Sequence, residues 1–170
     1  MKKTTMLIAM ILIASSGYSQ NFVPRTGGHC FTMDIPDYMS KSYDLNDVAS
    51  LQYQNKVKEA YVIAIVDEKD QLENLGMKFQ NASEFLTFFL KNYPPDVSEK
   101  QVSEPVAFES NGTGFAQAEL TWTDEDASFY MLVCCAETQG HFYKILCWTL
   151  AGYKDLLKDD FQKIARSLKE

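Results

Sequence analysis

The chain has 170 residues, 46% of them hydrophobic, and 16 basic against 23 acidic residues give a net charge of −7 at neutral pH. That length suits one domain with a core of its own, and no repeat, low-complexity tract or Pro/Gly-rich linker divides it. The acidic balance argues against nucleic acid and against anionic membrane surfaces as partners, since both attract basic faces.

The first residues concern destination. Lys2 and Lys3 precede an apolar run at 6–14 (MLIAMILIA), and a polar, small-residue stretch follows at 15–20 (SSGYSQ). This is the layout of a secretory signal peptide. Gly17 and Ser19 supply the small residues that processing requires, which places cleavage between Ser19 and Gln20. A membrane anchor needs roughly 18 or more apolar residues, about twice this run. No cysteine lies at the cleavage point, so no lipoprotein anchor is expected. The expected product is exported, periplasmic or secreted, with no membrane insertion after cleavage. Loss of Lys2 and Lys3 leaves 14 basic against 23 acidic residues, a net charge of about −9.

Residues 20–28 read as a flexible leader, and 29–170 as a single α+β domain. Residues 29–36 (HCFTMDIP) alternate, with Phe31, Met33 and Ile35 on one face, and predict a half-buried strand ended by Pro36. Residues 38–47 are polar and irregular. Two strands of a hairpin follow at 48–54 and 60–66. The second (AYVIAIV) is apolar on both faces, as in a central strand covered on both sides. A short helix is expected at 71–76, ended by Gly76. Asn81 then caps a second helix, with Glu84 three residues on. Phe85, Leu86, Phe88 and Phe89 form its apolar face, read as core packing, and Pro94 and Pro95 stop it.

Residues 102–110 predict a strand that turns at Asn111 and Gly112 into another at 115–122, with Ala116, Ala118, Leu120 and Trp122 on one face. After a turn at 123–128, strands at 129–137 and 141–150 form a final hairpin around Gln139 and Gly140. A closing helix at 153–168 carries Tyr153, Leu156, Leu157, Phe161, Ile164, Ala165 and Leu168 on one stripe. The sum is an antiparallel sheet of about six to seven strands flanked by helices.

The final hairpin (FYMLVCCAETQGHFYKILCWTL) holds three of the four cysteines and one of the two histidines. Successive strand residues face opposite ways, so Cys134 and Cys135 cannot both face one metal ion. With the turn at Gln139 and Gly140, Cys147 falls opposite Leu132, and neither Cys134 nor Cys135 meets it at the Cα separation a disulfide needs. Cys30 is the remaining partner. The thiols are either all free, serving as small apolar residues, or Cys30 bonds one of Cys134, Cys135 and Cys147. No metal site is expected.

No G-x-S-x-G, H-E-x-x-H, G-x-x-x-x-G-K-[ST] or G-x-G-x-x-G motif occurs. Asp124, Glu125 and Asp126 lack the spacing of a calcium loop and read as a solvated hairpin turn. Gly112 and Gly114 sit between strands and offer phosphate no helix N-terminus. No catalytic residue and no cofactor is assigned.

The strand closing on a proline (FTMDIP), the long meander after a mid-chain helix, the aromatic strand FYKILCWTL and the terminal IARSLK resemble the PsbP-like superfamily, named for an extrinsic subunit of photosystem II. The resemblance spans residues 29–169 and is similar to that of small exported bacterial members. It implies an antiparallel sheet sandwiched by helices and a largely non-enzymatic life, since superfamily members act as accessory subunits, as a binder of the Ran GTPase or as chaperones for secreted effectors. The photosystem subunit's metal-binding and docking residues have no counterparts here, and none is carried over. With a bacterial source implied, the sequons at Asn81 and Asn111 read as a helix cap and a turn.

The expectation is therefore a non-catalytic accessory or protein-binding module of the bacterial cell envelope, with another envelope protein as its partner. The alternative is a small-ligand or enzyme role in a cleft between sheet and helices. Strands with two apolar faces and few helices to cover them point to an uncovered aromatic patch, with Trp122 and Trp148 as its partner-facing candidates.

Overall fold

The computed structural model describes residues 20–91, 93, 94 and 97–170. The signal peptide read over 1–19 lies outside them. An eight-stranded sheet forms the centre, with every pairing antiparallel.

Strand β1 (Phe22–Gly27) pairs with β2 (Phe31–Pro36) in a separate two-stranded ribbon, Val23 opposite Ile35 and Arg25 opposite Met33. The stretch expected to be a flexible leader is thus mostly strand. Pro24 masks it in the sequence, yet a proline is tolerated here because β1 is an edge and its missing N–H faces no ladder partner. The turn between the two strands bends at Gly28 and His29, both at positive φ. Gly27 has no room for a Cβ, which would collide with the Phe31 ring.

The main sheet runs in the order β3 (Ser40–Lys41), β4 (Leu51–Asn55), β5 (Ala60–Glu68), β10 (His141–Leu150), β9 (Ala127–Glu137), β8 (Thr113–Asp124) and β6 (Ser98–Val102), with β7 (Val106–Ser110) also on β8. The single strand expected over 102–110 is two strands. Val102 opposes Leu120 and Val106 opposes Gln117, so three residues face two. Pro105 falls in that bulge, where the ladder needs no N–H, and Ser103 rejoins Glu119 through N–H to carbonyl at 2.9 Å. Asn111 and Gly112, at φ 52° and 77°, form the two-residue turn into β8, whose left-handed pair matches strand twist.

Helix α1 (Lys69–Asn74) starts two residues earlier than expected, and Gly76 at φ 77° ends the turn that follows it. In α2 (Ala82–Lys91) the Asn81 Oδ1 accepts the Glu84 N–H at 3.0 Å, while Glu84 reaches back to the Gln80 N–H at 2.8 Å. A 3₁₀ turn, Ala151–Tyr153, leads into α3 (Lys154–Arg166).

Alternation along the strands divides the core in two. On one face, Phe31, Met33 and Ile35 of β2 and Leu157, Phe161 and Ile164 of α3 pack on Tyr130, Leu132, Tyr143 and Ile145. On the other, Leu72 of α1 and Phe85, Leu86 and Leu90 of α2 pack on Leu120, Val133, Phe142 and Leu146. The C-terminal segment ties the first layer together: Thr32 and Lys169 exchange backbone hydrogen bonds at 2.8 and 3.0 Å, and Ser167 Oγ accepts from the Asp34 N–H at 2.8 Å. Tyr153 and Leu156 leave the expected stripe and are exposed. Tyr153 belongs to the 3₁₀ turn ahead of α3, and Leu156, within α3, stands about 100° round the helix from the buried Leu157.

Candidate functional site: an aromatic patch at one end of the sheet

Coverage of the sheet is set by length. Ten residues of α2 span about 15 Å, whereas the twelve residues of β8 run for about 40 Å. Helix α2 seats on β8, β9 and β10 and leaves one end of their outward row half-exposed.

The residues at that end are aromatic. Trp122 of β8 opposes Phe129 of β9, and the rings stack with centroids 5.1 Å apart and planes 16° apart. On β10, Trp148 opposes Met131 on one side and Tyr61 of β5 on the other. Trp148 and Tyr61 stack at 5.3 Å and 15°. Leu150, opposite Phe129, adds an aliphatic contact to the same row. Trp122 and Trp148 are anchored against the α2-side core, while Met131 beneath them is buried. Tyr61, Trp122, Phe129, Trp148 and Leu150 are each half-buried. Both candidate tryptophans therefore reach the surface in one patch. Cross-strand stacking holds each ring in place, so little side-chain entropy is left to lose when a surface is laid on it.

Tyr61 and Phe129 escape sequence reasoning. Phe129 is signalled only by the tight turn that sets it opposite Trp122. Tyr61 has no local signal, because its neighbour Trp148 is brought by the long-range β5–β10 pairing. Tyr130 and Tyr143, on the same three strands as the tryptophans, point the other way and are fully buried under α3.

The cysteines are free. Cys147 opposes Leu132, the register read from the sequence, and Cys134 and Cys135 oppose Ile145 and Lys144. Burial pushes the Cys134 thiol up to about 12 and raises Cys135 and Cys147 as well. Such thiols are protonated at neutral pH and are poor nucleophiles. Cys30 Sγ lies 3.9 Å from the Gly27 carbonyl in the β1–β2 turn.

A second polar cluster has no motif in the sequence. Glu170 Oε1 accepts from Thr138 Oγ1 at 2.9 Å and from Tyr143 Oη at 2.7 Å, and it pairs with His141 Nδ1 at 2.5 Å. Burial raises the Glu170 carboxyl, but the hydrogen bonds from Tyr143, His141 and Thr138 outweigh it, and the net displacement is downward. The cluster clips the chain's last residues to β10. Among the described residues no group of three His, Cys, Asp or Glu side chains is arranged to hold a metal ion. Asp124 ends β8, Glu125 and Asp126 form the two-residue turn into β9, and all three are exposed.

An open groove of about 380 Å³ lies between the start of α2 (Ala82 and Ser83) and Phe108, Phe115 and Glu137 of the sheet; deeper in, the helices close on the sheet. The side chains of α2 and α3 that face the sheet, Phe85, Leu86, Phe161 and Ile164, are at most 3% exposed.

No protein-family model matches the sequence, and no curated protein matches it. Solved structures do. PsbP (CyanoP) of the cyanobacterium Synechocystis superposes with a TM-score of 0.63 at 14% identity, covering 92% of this chain and 98% of that one. LpqN of Mycobacterium tuberculosis, described as involved in cell envelope biogenesis, gives 0.59 at 13% identity over 89% and 91%. The Ran-binding protein Mog1p of Saccharomyces cerevisiae gives 0.57 at 10% identity over 89% and 96%. Identities this low speak to architecture alone, and over about nine-tenths of its length the chain has the PsbP-like α+β fold that PsbP, LpqN and Mog1p share.

Proposed function

We propose that this chain is a non-catalytic, exported accessory module of the bacterial cell envelope that docks a partner protein through its aromatic patch. One observation carries the reading: two cross-strand aromatic stacks, Tyr61 with Trp148 and Trp122 with Phe129, lie side by side and half-exposed where α2 stops short. Aromatic residues are enriched at protein interfaces, and exposed apolar patches mark them. Export is supported by the signal-like residues 1–19 and by the shared fold of LpqN, a protein of envelope biogenesis. A non-catalytic role is supported by Cys134, Cys135 and Cys147 being buried with their thiols held protonated.

The test is capture from envelope extracts by the mature chain and by a Trp122→Ser/Trp148→Ser variant of unchanged circular dichroism. Loss of a buried interface tryptophan costs about 2 kcal/mol or more of binding, roughly 30-fold in affinity. A partner retained by the native chain and released by the folded variant supports the reading. A partner retained equally by both sinks the patch as its seat.

A further inference from the structure

Charge is distributed unevenly around the aromatic patch. Elsewhere on the sheet the acids are matched: Asp67 pairs with Lys144, Glu137 with Lys69, and Glu119 with both Lys154 and Lys158. At the patch they stand open. Glu59 ends the turn into β5, and its Oε2 accepts from Tyr61 Oη at 2.8 Å, so its carboxylate lies at the rim beside the Tyr61–Trp148 stack. Asp124 follows Trp122 by two residues on β8 and so projects from the same face. Glu125 and Asp126 then form the turn that carries the chain to Phe129. Among the described residues no basic side chain pairs with any of these acids.

The half-exposed rings are thus flanked by carboxylates on two sides. Three strand spacings, from β5 through β10 and β9 to β8, and a two-residue step along β8 set Glu59 and Asp124 about 16 Å apart. The remaining margin, where α2 ends, has the opposite sign. Lys91 is exposed there, and Lys100 Nζ donates to the Leu90 carbonyl at 2.9 Å. The negative border is therefore the outer one, away from the helix.

We infer that the segment seated on the patch is cationic: an extended stretch of a partner protein, apolar at its centre, with lysine or arginine at both ends, about four to six residues apart. Its apolar side chains lie on Trp148 and Trp122, and its two cations meet Glu59 and Asp124. Such rim charges act mainly by steering encounter and rejecting acidic partners. A second copy of this chain, at a net charge of −7, would set like charges against one another. The inference rests on the reading of the patch as a docking seat.

The chain's two tryptophans both stand in the patch, so their fluorescence reports its occupancy. The chain from Gln20 onward is titrated with acetylated and amidated Lys-Ser-Leu-Ser-Phe-Ser-Lys, and with the same peptide carrying glutamate or serine at both ends. At low salt the basic peptide half-saturates the change about tenfold below the acidic one, with the serine peptide between them. In about 1 M salt the three converge. In a Glu59→Lys/Asp124→Lys chain of unchanged circular dichroism the order reverses. Equal response to the three peptides, a preference for the acidic one, or an order that survives the charge reversal overturns the cationic segment and leaves the aromatic seat standing. No response to any peptide overturns both. A fluorescence change on concentrating the chain alone assigns the patch to a second copy and overturns the proposal.

Discussion

Replacing Phe161 and Leu156 by alanine, one at a time, tests how α3 is phased on the sheet. Both residues lie on the stripe that sequence periodicity assigns to the core, but the structure separates them: Phe161 is fully buried and Leu156 is 72% exposed. Phe161→Ala removes a ring from a filled space among β2, β9 and β10 and costs about 3–5 kcal/mol, transfer and cavity together. Against a total of about 5–15 kcal/mol for a domain, that is a large fraction. At about 2–4 °C per kcal/mol for this size, Tm falls by roughly 6–20 °C. Leu156→Ala takes apolar surface away from water and stays within about 0.5 kcal/mol of the native chain. The assay is urea unfolding of the mature chain, with the m value checked for constancy so that the midpoint reports stability. Comparable losses from the two variants would refute the phase, because a Leu156 on the core stripe costs about 2–5 kcal/mol when truncated.

Other consequences are as direct. Glu170 has a carboxyl held below its ordinary value in the folded chain, so its hydrogen bonds stabilise the fold above the unfolded-state pKa. That contribution is lost as pH falls through the folded-state value. The stability gap between the native chain and Glu170→Gln therefore narrows from about pH 5 downward, and a gap that widens on acidification contradicts the assignment. In the native state only Cys30 reacts with a thiol reagent, whereas denaturant exposes Cys134, Cys135 and Cys147 too, as free and buried thiols require; a total below four on unfolding would reveal a disulfide. Gly112→Ala, at φ 77° with open space around it, costs about 1 kcal/mol in backbone strain alone, measured by the same urea titration.

Local chemistry was the legible part of this chain. The turn at Gln139 and Gly140 sets the β9–β10 register and with it Cys147 opposite Leu132. Asn81 and Glu84 announce the start of α2, and Asn111 with Gly112 announce a hairpin. Long-range pairing was not legible. Strand β1 carries a proline and weak alternation, and only its pairing with β2 makes it a strand. The break between β6 and β7 becomes visible once β8 is seen to be long enough to hold both. The same limit applied to the site. Trp122 and Trp148 stood out as large aromatics on strands with two apolar faces, but the partners that turn them into a patch come from β9 and, by a long-range crossover, from β5. The Glu170 cluster needed the C-terminal segment folded back on β10 before its three donors could meet.

The central claim is that the aromatic end of the sheet is where a partner sits, and a photo-crosslinking residue placed at Trp122, Trp148 or Leu75 in cells tests it most directly. Leu75, exposed just after α1 and away from the patch, is the control. The account requires one shared crosslinked partner from positions 122 and 148 and none from 75. The same adducts from all three positions, or none from the tryptophan sites in chains that fold and are exported, would contradict it.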